Sequence, residues 1–451
     1  MSLGLIAYKG GQRDIAIALG SILFINAFAQ KLSEIVSVSS FFTNVGVSQI
    51  VWVWGLDGVL ILAITGLQSM VIDKYSRLRL MQMMAMGIAL CFAGIQVSML
   101  LKAPLWLSQS LLYLLSQQQW LAFPLIFWTF TNDVLDMSQT KRLIPKIASW
   151  GFLGAACGIA FTSVFSVAMG RLSLPPQTMV SLCMLINVGI YIGIFWILQT
   201  GFSTSHLPQP VPEAAESLSQ NIVTGARFIH KVPLFRYLSL IVLIVVICET
   251  ILDFQFFKLS FERFPDFYVY QVVQGFYLLG RAIVESLISQ LVAQKLIAYV
   301  GLKSIFVLQP VFSIVASLTM LLVPGFAGAV LGICLQKNTQ YGIDEPARKT
   351  LQGMIPSERR GRVSICIDSY TIALGGILGA LLIAVVEGSG IGSALPAFLI
   401  WPGLMLSILA LVFSLQLRDS YTASLFDWRL TRRKRGRRLL DGLTVPDVVS
   451  K

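Results

Sequence analysis

The chain has 451 residues, 56% of them hydrophobic and only 12% charged, and a mean hydropathy of +0.76. Soluble domains carry about 25% charged residues, so this is the composition of a polytopic membrane protein. The net charge of +12 does not mark a nucleic-acid binder, because the basic residues gather in alternate loops, the positive-inside pattern.

Apolar runs predict twelve spans. Six lie at 15–36, 49–72, 80–101, 105–130, 147–169 and 179–198. Six more lie at 234–257, 270–291, 305–323, 326–335 with a polar extension, 364–386 and 394–417. Ala27-Phe28-Ala29 looks like a signal-peptidase site, but cleavage there would discard the first span, so an uncleaved helix is expected. Lys31 and Glu34 fall near the outer end of that helix, three residues apart. Lys31 either snorkels to the interface or serves a cargo. Asp57 lies midway along the second span and needs a partner or a proton; Lys31 is the obvious candidate. The gap after the second span holds Asp73-Lys74-Tyr75-Ser76-Arg77, matched by Lys295, Tyr299 and Lys303 after the eighth.

Residues 200–231 break the apolar rhythm with Pro208, Pro210 and Pro212 and a short amphipathic run. A polar connection between two sets of six spans is the two-bundle layout of the major facilitator fold. The expected fold is therefore an all-α membrane protein of two pseudo-symmetric six-helix bundles. The N-terminal bundle is expected at 1–199, the central loop at 200–233, the C-terminal bundle at 234–417 and a basic tail at 418–451. Lys and Arg crowd the even-numbered gaps, which puts both termini in the cytoplasm, of a bacterial plasma (inner) membrane.

Glu249 and Asp253 lie one turn apart in the seventh span, and Arg281 and Glu285 repeat that spacing in the eighth as a self-neutralising pair. The most unusual stretch follows the apolar start of the tenth span. Without any turn signal it becomes polar, and helical spacing puts Lys337, Tyr341, Asp344 and Arg348 on one face. Charges in hydrocarbon cost a few kcal/mol or more, so this face is expected to look into protein or a water-filled cavity. In the tail, seven basic residues between Arg429 and Arg438 predict contact with anionic lipid headgroups. The cysteines (Cys91, Cys157, Cys183, Cys248, Cys334, Cys366) form no Cys-x-x-Cys pair, and only two histidines occur, so neither metal nor cofactor is implied. No Walker-type phosphate loop appears, and no enzymatic activity is expected.

Tyr341-Gly-Ile-Asp344-Glu-Pro346-Ala-Arg348, then Ile355-Pro356-Ser-Glu358-Arg359, Arg362, Ile367-Asp368 and Gly375-Gly-Ile-Leu-Gly379, resemble the tenth-to-eleventh helix region of the ATP/ADP translocases. These are nucleotide transporters related to the major facilitator superfamily. Phe127-Trp128-Thr-Phe130-Thr-Asn132 with Lys141-Arg142 and Gly151, Gly154 and Gly158 is a second match, and Asp73-Lys-Tyr-Ser-Arg77-Leu-Arg79 a third. The resemblance implies a transporter for an anionic small molecule such as a nucleotide or phosphorylated metabolite. It implies cargo contacts by Lys31, Glu285 and Arg348, which Lys337 and Tyr341 would join, and coupling or gating by Asp57, Asp73, Arg77, Asp344 and Asp368. A cavity with surplus positive charge follows if Lys31, Lys337 and Arg348 outnumber their carboxylates. The chain departs from the family at Ser116-Gln117-Gln118-Gln119, where relatives carry a glutamate. A proton-coupled porter for another solute and a non-transporting docking module are the rival readings.

Overall fold

The computed structural model describes residues 7–8, 12–71, 75–135, 137–203, 218–352, 355, 362–390 and 396–441. Asp73 and the loop from Pro356 to Gly361 lie outside the described residues. Helices and the short turns between them account for nearly everything described, with one pair of two-residue strands, Ala7–Tyr8 and Phe202–Ser203, which pair antiparallel.

Among the described residues, ten helices are long and apolar enough to cross a membrane. Two more have the length but a polar make-up: Leu105–Val134, and the tenth span, which runs through Phe326–Thr339, a π-helical turn at Gln340–Asp344 and Glu345–Gln352. The other spans, in order, are Gln12–Asn44, Ile50–Val71, Arg77–Leu100, Met137–Arg171, Pro176–Gly201, Pro233–Arg263, Phe267–Val300, Leu302–Leu322, Arg362–Gly388 and Ile400–Asp441. An amphipathic helix, Leu218–Lys231, precedes the seventh span.

Several spans outrun their expected bounds, among them the fifth, seventh and eighth, and the extensions of the first and twelfth matter most. The first continues past Val36 to Asn44 although that segment is rich in hydroxyls. Ser39 donates to the Ile35 carbonyl (2.7 Å) and Thr43 to that of Ser39 (2.9 Å), so the polar groups are satisfied inside the helix. Lys31 therefore sits in the body of the helix, not near its outer end. The twelfth span does not stop at Leu417 but continues as helix through the basic tail to Asp441. At 1.5 Å per residue its 42 residues reach about 63 Å, far more than the ~30 Å of a hydrocarbon core.

Contacts sort the spans into two sets. The first packs on the fourth, fifth and sixth, and the third on the fourth and sixth; the seventh packs on the tenth, eleventh and twelfth, and the ninth on the tenth and twelfth. Each contact of one set has its counterpart six spans later, which is the pseudo-twofold of the fold. Sequence carries part of this symmetry. A Cβ on Gly154 or Gly158 of the fifth span would strike the first-span carbonyls of Phe24 or Phe28. Gly375 and Gly379, at the same four-residue spacing, let the eleventh span approach Val246 and Thr250 of the seventh. The sets meet chiefly where the second span packs on the eleventh and the fifth and first pack on the eighth.

Spans alternate in direction, so one face of the molecule carries the start of the first span and the end of the twelfth. We call it the terminal face and its opposite the far face. Towards the far face one apolar cluster draws on both sets: Phe41, Phe42, Val51 and Tyr113 with Ile251, Phe254, Tyr270 and Ile383. Phe42 meets Phe257, Phe261 and Tyr270 edge-on at 5.3, 5.7 and 5.8 Å. Towards the terminal face the cluster built on Leu238, Ile343 and Ile367 draws on the second set alone.

Candidate functional site

Buried charges converge at mid-depth, where the first, seventh, eighth and tenth spans meet. Lys337, only 7% exposed, binds the Glu249 carboxylate and lies 2.7 Å from Asp253 Oδ2. Glu249 also accepts from Gln340 Nε2 at 2.6 Å and from the Tyr341 hydroxyl at 3.4 Å. The seventh span offers its carboxylates to one cation because residues 249 and 253 are one turn apart. On the eighth span Arg281 pairs with Glu285 at 2.9 Å, and its guanidinium lies over the rings of Tyr277 (5.9 Å) and Tyr341 (5.6 Å). On the first span Lys31 pairs with Glu34 at 2.6 Å, and Gln30 donates to the same carboxylate at 2.8 Å. Arg281 acts electrostatically on Glu34, and Lys31 and Lys337 on Glu285, so the three spans share one charged neighbourhood.

This neighbourhood corrects the expected positive surplus. Lys31, Arg281 and Lys337 face Glu34, Glu249, Asp253 and Glu285, three cations against four carboxylates. Arg348 is not among them. It lies eleven residues beyond Lys337, about 16 Å along the helix, with a π-turn between them.

Arg348 instead joins a second cluster at the terminal-face ends of the tenth and eleventh spans. Its Nε lies 3.6 Å from Asp368 Oδ1, with Asp344 acting on the same guanidinium. Lys349 reaches the other Asp368 oxygen at 2.5 Å, and Gln352 donates to Oδ1 at 3.0 Å. Arg77, at the start of the third span, pairs with Asp133 at the end of the fourth (3.4 Å). Asp57 meets Gln118, not Lys31: Gln118 Nε2 donates to its Oδ1 at 3.0 Å.

Sequence reasoning had not placed two groups. Tyr277, one turn before Arg281, was legible from spacing. The neutral network of Asn26, Ser33, Gln119, Asn187 and Tyr191, which joins the first, fourth and sixth spans, carries no local signal. Gln119 belongs to this network.

No protein-family model matches the chain, and no curated protein matches it in sequence. Solved structures do. The nucleoside transporter NupG superposes with a TM-score of 0.65 at 15% identity, covering 90% of this chain and 99% of that one. A bacterial homologue of the human lysosomal transporter Spinster, in an inward-facing and unoccupied conformation, gives 0.58 at 13% identity, covering 93% and 98%. An autoinhibited POT-family peptide transporter gives 0.59 at 11%, covering 90% and 96%. The chain has the major facilitator fold. All three neighbours are transporters by name. At these identities the likeness establishes the architecture and not the cargo.

Proposed function

We infer that this chain is a secondary transporter that works by alternating access, and that its cargo is a small polar solute of the nucleoside or nucleotide class. The observation that carries the reading is the mid-depth charge cluster at the meeting of the two bundles, the place where such transporters hold their solutes. Buried charge costs stability, so its retention across four spans calls for a functional return.

Stacking and hydrogen bonding favour an aromatic, hydroxylated solute. Tyr277 and Tyr341 present rings beside Arg281, while Glu249, Asp253 and Gln340 offer acceptors to sugar hydroxyls. Every cation in the cluster already holds a carboxylate, so a phosphate must displace one to bind. That favours the uncharged nucleoside. The convergence of Lys31, Arg281 and Lys337 favours the nucleotide, with phosphate exchanging for Glu285 or Asp253. The name of the NupG neighbour agrees with the first, and the resemblance to the translocases with the second.

With the terminal face in the cytoplasm, the orientation that the Lys and Arg distribution supports, the apolar seal around Phe42 closes the outer side. The structure then corresponds to a state closed to the outside. Uptake by proteoliposomes tests the proposal. Adenosine and ATP are offered separately, each against its own kind inside and against an imposed proton gradient. Saturable uptake of either, lost in Tyr341→Ala with folding intact, is the expected result. Absence of uptake for both, with saturable transport of an unrelated solute, overturns the cargo class.

A further inference from the structure

The four carboxylates of the mid-depth cluster are not equivalent. Glu249 is engaged at both oxygens: Oε1 takes Lys337 and the Tyr341 hydroxyl, and Oε2 takes Gln340 at 2.6 Å. Glu34 holds Lys31 at 2.6 Å, and Glu285 holds Arg281 at 2.9 Å. Of the four, Asp253 alone has no cation that it does not share. It competes with Glu249 for Lys337, which it meets through Oδ2 at 2.7 Å, and its Oδ1 makes no hydrogen bond among the described residues. Its side chain is 22% exposed, against 11% for Glu249. The unbalanced negative charge of the cluster therefore falls on the carboxylate with a free oxygen. Asp253 also stands at the junction of the bundles. It belongs to the seventh span, yet acts electrostatically on the Tyr113 hydroxyl of the fourth, as do Glu34 and Asp57 of the first bundle.

An ionised carboxylate only accepts, so a free oxygen on it binds a hydroxyl and repels a phosphate. We propose that Asp253 sets the charge of the cargo: it accepts a sugar hydroxyl and turns nucleotides away, so that the solute carried is the uncharged nucleoside. This rests on the cargo class inferred above and decides between its two members. The residue can be tested because its charge can be removed gently. Asp253→Asn leaves three cations facing three carboxylates, and Lys337 keeps Glu249, so no buried charge is orphaned. The same change at Glu34 or Glu285 would strip Lys31 or Arg281 of its carboxylate, and at Glu249 it would disturb Gln340 and Tyr341.

Binding of adenosine, AMP and pyrophosphate to the full chain in nanodiscs, measured by calorimetry, reads the effect. The parent should prefer adenosine to AMP. In Asp253→Asn adenosine should bind about tenfold more weakly, through loss of one charge-assisted hydrogen bond. AMP should bind about a hundredfold more tightly, through relief of repulsion by a nearby unit charge in a partly buried site. Asp253→Ser, neutral and smaller, should shift the preference the same way and serves where the amide disturbs folding. Asp253→Glu keeps the charge and should keep the preference. Pyrophosphate carries the charge without the nucleoside, which separates this proposal from the cargo class. If neither adenosine nor AMP binds any form, the cargo class falls. The charge-selecting role then stands on pyrophosphate, which must bind the neutral variants about a hundredfold better than the parent; no such gain overturns it. A parent chain that binds AMP as tightly as adenosine, or a preference that survives both neutral variants, also overturns the proposal.

Discussion

The two bundles share a contact plan and hold their centres with different chemistry. Inside the first, the groups that join the first span to the fourth and sixth are neutral: Ser33 and Gln119 meet at Asn187, Gln119 also reaches Tyr191, Tyr191 reaches Asn26, and Ser40 reaches Gln109 at 2.6 Å, while charge joins spans at Asp57 on Gln118 and at the half-exposed Arg77–Asp133 pair. Inside the second they are charged, with Lys337 between Glu249 and Asp253, Arg281 on Glu285, and Arg348 and Lys349 on Asp368. The backbone differs in the same sense. Three π-helical turns, Ile288–Ala293, Gln340–Asp344 and Cys366–Thr371, interrupt spans of the second bundle, and none is present among the described residues of the first. A neutral hydrogen bond that fails leaves a modest debt, whereas an ion pair that fails leaves a buried charge. The first bundle is thus built as a frame. The second holds its interior in a few high-stakes pairs, next to helical turns that are less regular and easier to rearrange.

Breaking the costliest pair should separate the bundles most sharply. Lys337→Met leaves Glu249 and Asp253 buried without a counter-charge, and should lower stability by about 3–5 kcal/mol. Adding Glu249→Gln and Asp253→Asn should restore most of it without restoring transport. Denaturant titration in detergent, alongside uptake, reads both. If the single variant melts like the parent, the charged interior is not what holds the second bundle.

The matching cut in the frame should cost less. Asn187→Leu removes the hub that Ser33 and Gln119 share, and about 1–3 kcal/mol of destabilisation is expected, with cargo affinity preserved. Loss of affinity at intact stability would place the neutral network in the site and erase the distinction between the bundles.

Packing beside a π-turn offers an intermediate test. A Cβ at Gly342 would lie 2.7 Å from Ile288 Cγ2, so the π-turns of the eighth and tenth spans touch there. Gly342→Ala should cost about 1–3 kcal/mol through overpacking, and Ile288→Val in the same chain should recover part of it. No recovery would mean that the two turns move independently.

The smallest effect is expected at Lys349, whose side chain is 52% exposed. Lys349→Ala should change stability by less than about 0.5 kcal/mol, because solvent screens the pair and Gln352 still serves Asp368. A drop as large as that at Asn187 would show that the Asp368 cluster is a true lock between the tenth and eleventh spans.

What the sequence determined by itself is whatever depends on neighbours along the chain. Apolar runs located the spans, and one-turn spacing announced Arg281 with Glu285 and Lys31 with Glu34. Hydroxyls misled the reading of the first span. Their return bonds to the backbone let a serine-rich segment remain helical, and that moved Lys31 into the body of the helix. Tertiary structure alone decided which charges meet. Lys337 chose carboxylates more than eighty residues away, Asp57 took Gln118 rather than Lys31, and Arg348 went to Asp368 on the eleventh span. Helical spacing reports the face on which a residue lies. The partner of a buried charge is set by which helix packs against that face, and no local pattern encodes it.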